Sequence, residues 1–175
     1  MKRICLFIAL FVFTFGNIFA QNKSDNKGRR QGQWIEYHEN GKVKMRGAFK
    51  DGFPVGEFSF YDEYGDLKAK KVFSNNGADA ETTVYSSQGK VIAKGFYHNK
   101  IRTGEWRYFD ENSEKLILVE TYDNGVLDGY SCSYYDTGVP QFEGEYRNGV
   151  KSGEWKTYDP DGNLISVDKY GLSDQ

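Results

Sequence analysis

GYSCSYYDTGVPQFEGEYRNGVKSGEW, residues 129–155, is the stretch that decides the fold of this 175-residue chain. Thr137-Gly138 and Asn148-Gly149 divide it into short segments that are rich in aromatic residues. Asn-Gly and related pairs favour two-residue hairpin turns because both residues tolerate positive φ angles. Gly-Glu-Trp at 153–155 then opens a second segment of the same kind. The stretch therefore predicts a β-hairpin that continues directly into another hairpin.

The same pattern recurs six times with a nearly constant period. Successive units begin 24, 24, 24, 25 and 24 residues apart. Their first residues are Gly32, Gly56, Ala80, Gly104, Gly129 and Gly153. An aromatic residue lies five positions further on in every unit, at Tyr37, Tyr61, Tyr85, Phe109, Tyr134 and Tyr158. A second aromatic residue closes each unit, at Phe49, Phe73, Tyr97, Tyr122, Tyr146 and Tyr170. A fixed period of this length indicates a tandem-repeat protein.

Each unit contains two turn signals, so that strands recur about every 12 residues, the spacing of an antiparallel meander. The first signal supplies Gly41, Gly65, Gly89, Gly138 and Gly162, with Ser113 in the fourth unit. The second signal is Asp51-Gly52, Asn75-Asn76, Asn99-Lys100, Asn124-Gly125 and Asn148-Gly149. No apolar pattern of helical period competes with this punctuation. The sequence predicts an all-β fold, an antiparallel sheet of six tandem β-hairpins within residues 32–175.

A third glycine recurs inside a predicted strand, at Gly47, Gly95 and Gly144. Glycine in a strand commonly marks a bulge or makes room for a neighbouring group. Because bulky aromatic residues flank these glycines, we expect rings to stack over them. Lys71 replaces this glycine in the second unit and Asp168 in the sixth.

Large aromatic residues also lie two positions after most unit beginnings, and they are the candidate interaction residues. They are Trp34, Phe58, Trp106 and Trp155, with Thr82 and Ser131 in the third and fifth units. The second and fifth positions are three residues apart, so they point to opposite faces unless a bulge intervenes. Two interpretations remain open. The rings form the core of the sheet, or one face exposes them as anchors for a ligand or partner.

The N-terminal residues resemble an export signal rather than part of the fold. Lys2 and Arg3 precede the apolar run 4–13, and a cleavage site is predicted after Ala20. Residues 1–20 are therefore expected to be a signal peptide, and the polar residues 21–31 a flexible leader. The remaining chain carries 21 basic and 25 acidic residues, which argues against nucleic-acid binding. We expect an exported protein of the periplasm, cell envelope or exterior.

Signals for catalysis or for metal binding are weak throughout the sequence. His38 and His98 lie beside turns in different units and are expected to be solvated. Asp159 opens a calcium-like stretch, but Tyr170 occupies the position where such a loop needs a glutamate. Glu57, Glu81, Glu105 and Glu154 share one position, as in a solvated ladder paired with basic residues. Cys132 is expected to be buried. We predict no enzyme, no cofactor and no metal.

The repeated pattern in residues 129–155 resembles the variant MORN repeat, and this resemblance extends over residues 32–170. Bacterial proteins of this type include MORN-repeat antitoxins. The resemblance implies hairpins stacked into one elongated, twisted sheet, with a role in binding or scaffolding. Together with the export signal, it predicts a protein-binding or scaffolding module of the cell envelope. The alternatives are lipid or glycan binding through an aromatic face, an antitoxin-like role, and an enzyme that uses the atypical third or fifth unit. Oligomers through paired sheet edges are also expected to be possible.

Overall fold

A computed structural model describes residues 21–171 as one antiparallel sheet in which every strand pairs with its sequence neighbours. The 13 strands follow one another across the sheet in chain order. They are β1 Lys23–Ser24, β2 Arg30–Tyr37, β3 Val43–Lys50, β4 Phe53–Tyr61, β5 Leu67–Ser74, β6 Asp79–Tyr85, β7 Val91–His98, β8 Ile101–Phe109, β9 Leu116–Asp123, β10 Val126–Tyr134, β11 Pro140–Arg147, β12 Val150–Tyr158 and β13 Leu164–Tyr170. This open, twisted sheet confirms the prediction of an all-β array of hairpins. The predicted signal peptide lies outside the described residues.

The first turn of each unit differs in type from the predicted two-residue turn. In unit one, the backbone N–H of Gly41 donates to the carbonyl of His38, and the backbone N–H of His38 donates to the carbonyl of Lys42. This closes a three-residue loop in which only Gly41 has a positive φ, of 80°. Such a loop, a type I turn followed by a left-handed residue, is the second common way to close a hairpin. The fourth unit has one extra residue here, and Glu114 takes the positive φ.

The second turns match the prediction. In Asn148-Gly149 both residues have positive φ, 50° and 80°, as a two-residue hairpin turn of type I′ requires. The exception lies in unit two, where the turn widens into a short 3₁₀ segment, Asn75–Gly77. β5 and β6 remain paired up to Ser74 and Asp79, and the longer turn, as described below, helps to form a pocket.

Bulges between neighbouring hairpins explain why most units begin with glycine. Arg46 pairs with Ser59 and Ala48 pairs with Val55, so three residues of β4 lie opposite Gly47 alone. Gly56 adopts a φ of 69° at this point, a conformation that residues with a Cβ rarely adopt. Equivalent bulges lie between β7 and β8 and between β11 and β12. The third unit begins with Ala80, and the pairing of β5 with β6 is regular.

Residues 21–31, predicted to be a flexible leader, are instead folded onto the first hairpin. β1 pairs with β2, which itself begins at Arg30 rather than at the predicted boundary of 32. Asp25 organises the intervening turn: its carboxylate accepts the backbone N–H of Arg29 at 2.9 Å and that of Lys27 at 2.8 Å. The hydrogen bond from Arg29 lowers the pKa of Asp25 to about 2. A polar composition concealed this local turn.

Candidate interaction surfaces

Aromatic rings lie directly over the strand glycines on one face of the sheet, which we call the ring face. A Cβ at Gly95 would overlap the indole of Trp106. The same holds for Gly47 beneath Phe58 and for Gly144 beneath Trp155. Closing aromatics meet these rings edge-on: Tyr97 lies 5.2 Å from Trp106, centroid to centroid, at 84°. The expectation that rings stack over the third glycine is confirmed.

The four candidate anchor residues are placed inside this packing rather than on the open surface. Trp106 is 1 % exposed, Phe58 2 % and Trp155 7 %. Trp34, at the end of the array, is half-buried. The indole N–H groups of Trp106 and Trp155 donate to backbone carbonyls, at 3.2 Å and 3.0 Å. Of the two open interpretations, burial within the sheet is the one observed for Phe58, Trp106 and Trp155, because the inter-hairpin bulge turns each ring down onto its glycine.

Units three and five have a small residue in place of the ring, and the strand that precedes each unit has a long residue in place of the glycine. Thr82 pairs with Lys71, and Ser131 pairs with Glu120. A small residue therefore faces a long one in these units, whereas a ring faces glycine elsewhere. The paired exchange keeps the space between strands filled, as close packing requires.

Basic residues cover the rings of the first, fourth and sixth units. Arg30, Arg102 and Lys151 each lie two positions before the unit's leading glycine. Their charged groups lie 4.9, 4.6 and 4.1 Å from the ring centroids of Trp34, Trp106 and Trp155, respectively. Cations over aromatic faces are stabilising. Burial and the neighbouring Tyr122 hydroxyl raise the pKa of Tyr108, so this phenol stays neutral beneath Arg102. The equivalent positions in the other units hold Pro54, Ala78 and Leu127.

The aromatic residues at the fifth position lie on the opposite face, so both faces carry rings. Arg46 packs over Tyr61, with its guanidinium carbon 5.2 Å from the ring centroid. The Tyr158 hydroxyl donates to Glu143 at 2.6 Å. Five of these aromatics are half-buried and the sixth, Tyr37, is exposed. They are Tyr37, Tyr61, Tyr85, Phe109, Tyr134 and Tyr158. These rings therefore do not form a closed core.

Three of the four repeated glutamates form surface ion pairs. Glu57 pairs with Lys70 at 3.0 Å and Glu154 with Lys169 at 3.3 Å. Each pair joins neighbouring strands, as predicted. Glu105 pairs within its own strand, with Arg107 at 2.6 Å. The hydrogen bond to Glu57 raises the pKa of Lys70. Exposed pairs of this kind contribute little stability, and we assign them no chemical role.

The two histidines and Asp159, which are the candidates for metal or acid–base chemistry, form hydrogen bonds within the fold. His38 is half-buried and bonds the Tyr61 carbonyl at 2.9 Å, which corrects its prediction as a solvated residue. His98 is exposed and lies 2.6 Å from Asp79. Asp159 accepts the backbone N–H groups of Asp161 and Asn163 as a turn residue. Within residues 21–171, no three His, Cys, Asp or Glu side chains are grouped as metal ligands.

A row of exposed apolar side chains lies along one long side of the sheet, where the second turns join the strands. We call this row the edge ridge: Phe53, Ile101, Val126 and Val150. Each is the first residue of its strand and follows a second turn. They are 46–69 % exposed. Ile101 lies against Gly125, its Cγ2 3.1 Å from the site of a Cβ there, and Val126 lies against Gly149 at 3.5 Å. The ridge was not predicted from the sequence, although an apolar residue follows four of the five second turns.

The family of the repeats follows from these units and from a family model. The model of the MORN repeat variant matches residues 30–51, 127–148 and 151–170, which are the hairpins of units one, five and six. These three units thus match the MORN repeat variant. Repeats of this family are typically modules that bind proteins or membranes, and the family is not enzymatic. The intervening MORN-like units continue the same sheet with the same period.

Other comparisons add little to the MORN assignment. The solved structure of TarM matches with a TM-score of 0.39 and 15% identity, over 54% of this chain and 20% of TarM. The matched part is thus a fifth of the TarM chain. No curated protein matches the sequence significantly. From residue 21 to residue 171, no helix has the length and apolar character needed to cross a membrane.

Proposed function

We propose that this MORN-repeat chain is an exported, non-enzymatic module of the cell envelope that docks a protein partner along its edge ridge. The observation that carries the proposal is the ridge itself. Contiguous apolar surface rimmed by polar residues marks interaction sites. The polar rim is supplied by the turns, for example Asp123-Asn124 and Asn148-Gly149. A toxin held by an antitoxin-like protein would be one partner of this class.

The dimensions of the ridge suit an elongated protein segment. Strands in a sheet lie about 4.8 Å apart, so equivalent residues of consecutive units are separated by roughly 10 Å. Ile101, Val126 and Val150 belong to consecutive units, so they span roughly 20 Å along the edge. A helix or strand of a partner lying along the edge would contact all three residues.

Charge and ring burial favour a protein over the alternative ligands. After residues 1–20 are removed, acidic residues outnumber basic ones by 25 to 21. This excess weakens attraction to anionic lipid surfaces. A glycan stacks on an uncovered ring face, whereas Trp34, Trp106 and Trp155 lie beneath cations. The edge ridge needs neither an anionic surface nor an open ring.

Capture of a partner tests the ridge. The full chain, expressed with its N-terminal segment, is used as bait in detergent-solubilised envelope extract of the source cells. We expect Ile101→Asp with Val150→Asp to abolish capture of a specific protein, because charges in a desolvated interface are costly. Tyr64→Asp is the matched control: Tyr64 is also apolar and 82 % exposed, but it lies in a first turn at the opposite edge. Identical capture by all three baits, or no specific capture, would refute the ridge.

Export makes a separate prediction. Fractionation of cells that express the full chain should place the protein outside the cytoplasm. Its N-terminus, determined by mass spectrometry, should be Gln21, because a signal peptide is cleaved after a small residue such as Ala20. Replacing two residues of the apolar run, Leu10→Arg with Val12→Arg, should leave the chain uncut in the cytoplasm. Recovery of the intact wild-type chain from the cytoplasm would contradict export.

A further inference from the structure

A pocket opens on the ring face where units two and three depart from the regular pattern. Its volume is about 450 Å³, within the range of small-molecule sites, roughly 300–1,000 Å³. Elsewhere Arg30, Arg102 or Lys151 covers the rings, but Pro54 and Ala78 take that place here and both line the pocket. The 3₁₀ segment Asn75–Gly77 widens the neighbouring turn. In the described part of the chain, Phe58 and Phe73 therefore lack a basic residue like those that lie over Trp34, Trp106 and Trp155.

The walls of the pocket are almost entirely apolar. Four phenylalanines supply most of the ring surface, and Ala80 stands where other units have glycine. The apolar side chains that supply the largest surfaces are Met45, Phe49, Phe58, Phe60, Phe73 and Tyr97. An apolar ligand bound here would remove its own surface and that of the pocket wall from water. This burial contributes about 25 cal/mol to the binding free energy for each Å² buried.

Two lysines give the pocket its only charges. Lys71 replaces the strand glycine, and its ammonium lies 4.4 Å from the ring centroid of Tyr97 and 5.8 Å from that of Phe60. Lys100 contributes from the turn that follows β7. The lining contains no carboxylate, and neither lysine forms an ion pair with any residue that the structure describes. A ligand that fits is apolar in body and anionic at one end.

We propose that this pocket binds a monocarboxylate on an apolar chain, with the carboxylate held by Lys71 and the chain packed against the phenylalanine rings. A cavity of about 150 Å³ holds one benzene, so the pocket accommodates a chain of roughly ten carbons. The site is independent of the edge ridge, and it lies where unit three has Ala78 and Ala80 in place of the basic residue and the leading glycine.

Calorimetric titration of the full chain with decanoate, below its micelle concentration, tests the assignment. We expect a single site, and roughly tenfold weaker binding of decanol, because a hydrogen bond to a charged group contributes about 1.5 kcal/mol or more. Decyltrimethylammonium should not bind. Equal binding of all three amphiphiles would overturn the proposal, since it would indicate apolar adsorption without recognition of the carboxylate.

Variants locate the site. Lys71→Gln should weaken decanoate binding roughly tenfold and leave decanol binding unchanged. Ala78→Arg introduces the cover found at Arg102 and should abolish binding of both probes. Lys151→Gln is the matched control, because Lys151 lies over Trp155 in the closed sixth unit. Thermal unfolding confirms that each variant is folded. Unchanged decanoate binding in Lys71→Gln and Ala78→Arg, or equal loss in Lys151→Gln, would refute the site.

Discussion

Replacing Gly95 with alanine is expected to destabilise the sheet by about 3 kcal/mol or more, although the change adds a single methyl group. The added Cβ would overlap three atoms of the Trp106 indole, which is 1 % exposed and has no open space to move into. Relief requires the ring to rise from the bulge, and that movement breaks its hydrogen bond to the Phe96 carbonyl. Thermal or urea unfolding followed by circular dichroism measures the loss.

A double-mutant cycle isolates the ring as the cause. In a Trp106→Ala background the methyl group of Gly95→Ala meets no indole, and alanine is the better strand residue by about 0.5–1 kcal/mol. The same glycine substitution should therefore be neutral or slightly stabilising there. Gly144→Ala beneath Trp155 should repeat the result in the sixth unit. A loss of equal size with and without Trp106 would show that the backbone, rather than the ring, requires glycine.

The repeat period and the turns could be predicted because they depend on local backbone demands. A residue with positive φ must be glycine, asparagine or aspartate in most cases, and these residues recur visibly in the sequence. The position of Gly95 beneath a ring was also predictable, since aromatics flank it at a constant distance. The first-turn type was wrong because a type I turn with Gly41 in the left-handed position uses the same residues as a two-residue turn.

The sequence could not decide between buried and exposed rings at the second position of each unit, because the outcome depends on the bulge between hairpins. Simple alternation along β8 does not reveal that three residues lie opposite Gly95, or that Trp106 turns down upon it. The cationic cover was equally hidden, since Arg102 lies over Trp106 of its own strand and Tyr122 of the neighbouring strand. The pocket depends on both features, because unit three lacks the bulge and the basic residue that units four and six have.

Removal of the Trp106 side chain should cost about 3–5 kcal/mol, the range for aromatic residues in closed cores. Trp106 packs with Tyr97 and Tyr108 and lies under Arg102, so its loss leaves a cavity that rigid strands on both sides prevent from closing. In a sheet where each hairpin contacts only its neighbours, this gap also weakens the coupling between units. Broader as well as earlier urea unfolding of Trp106→Ala is the expected signature.

Trp34→Ala is the matched control for Trp106→Ala, because it removes the same side chain from the end of the array. Trp34 is half-buried and packs with Phe49 beneath Arg30, so less surface and no enclosed cavity are at stake. We expect this change to lower the free energy of unfolding by about 1–2 kcal/mol, close to the value for simple transfer of partly buried apolar surface into water. Equal losses at the two positions would mean that the ring face has no enclosed centre, and that each unit is stabilised by its own hairpin alone.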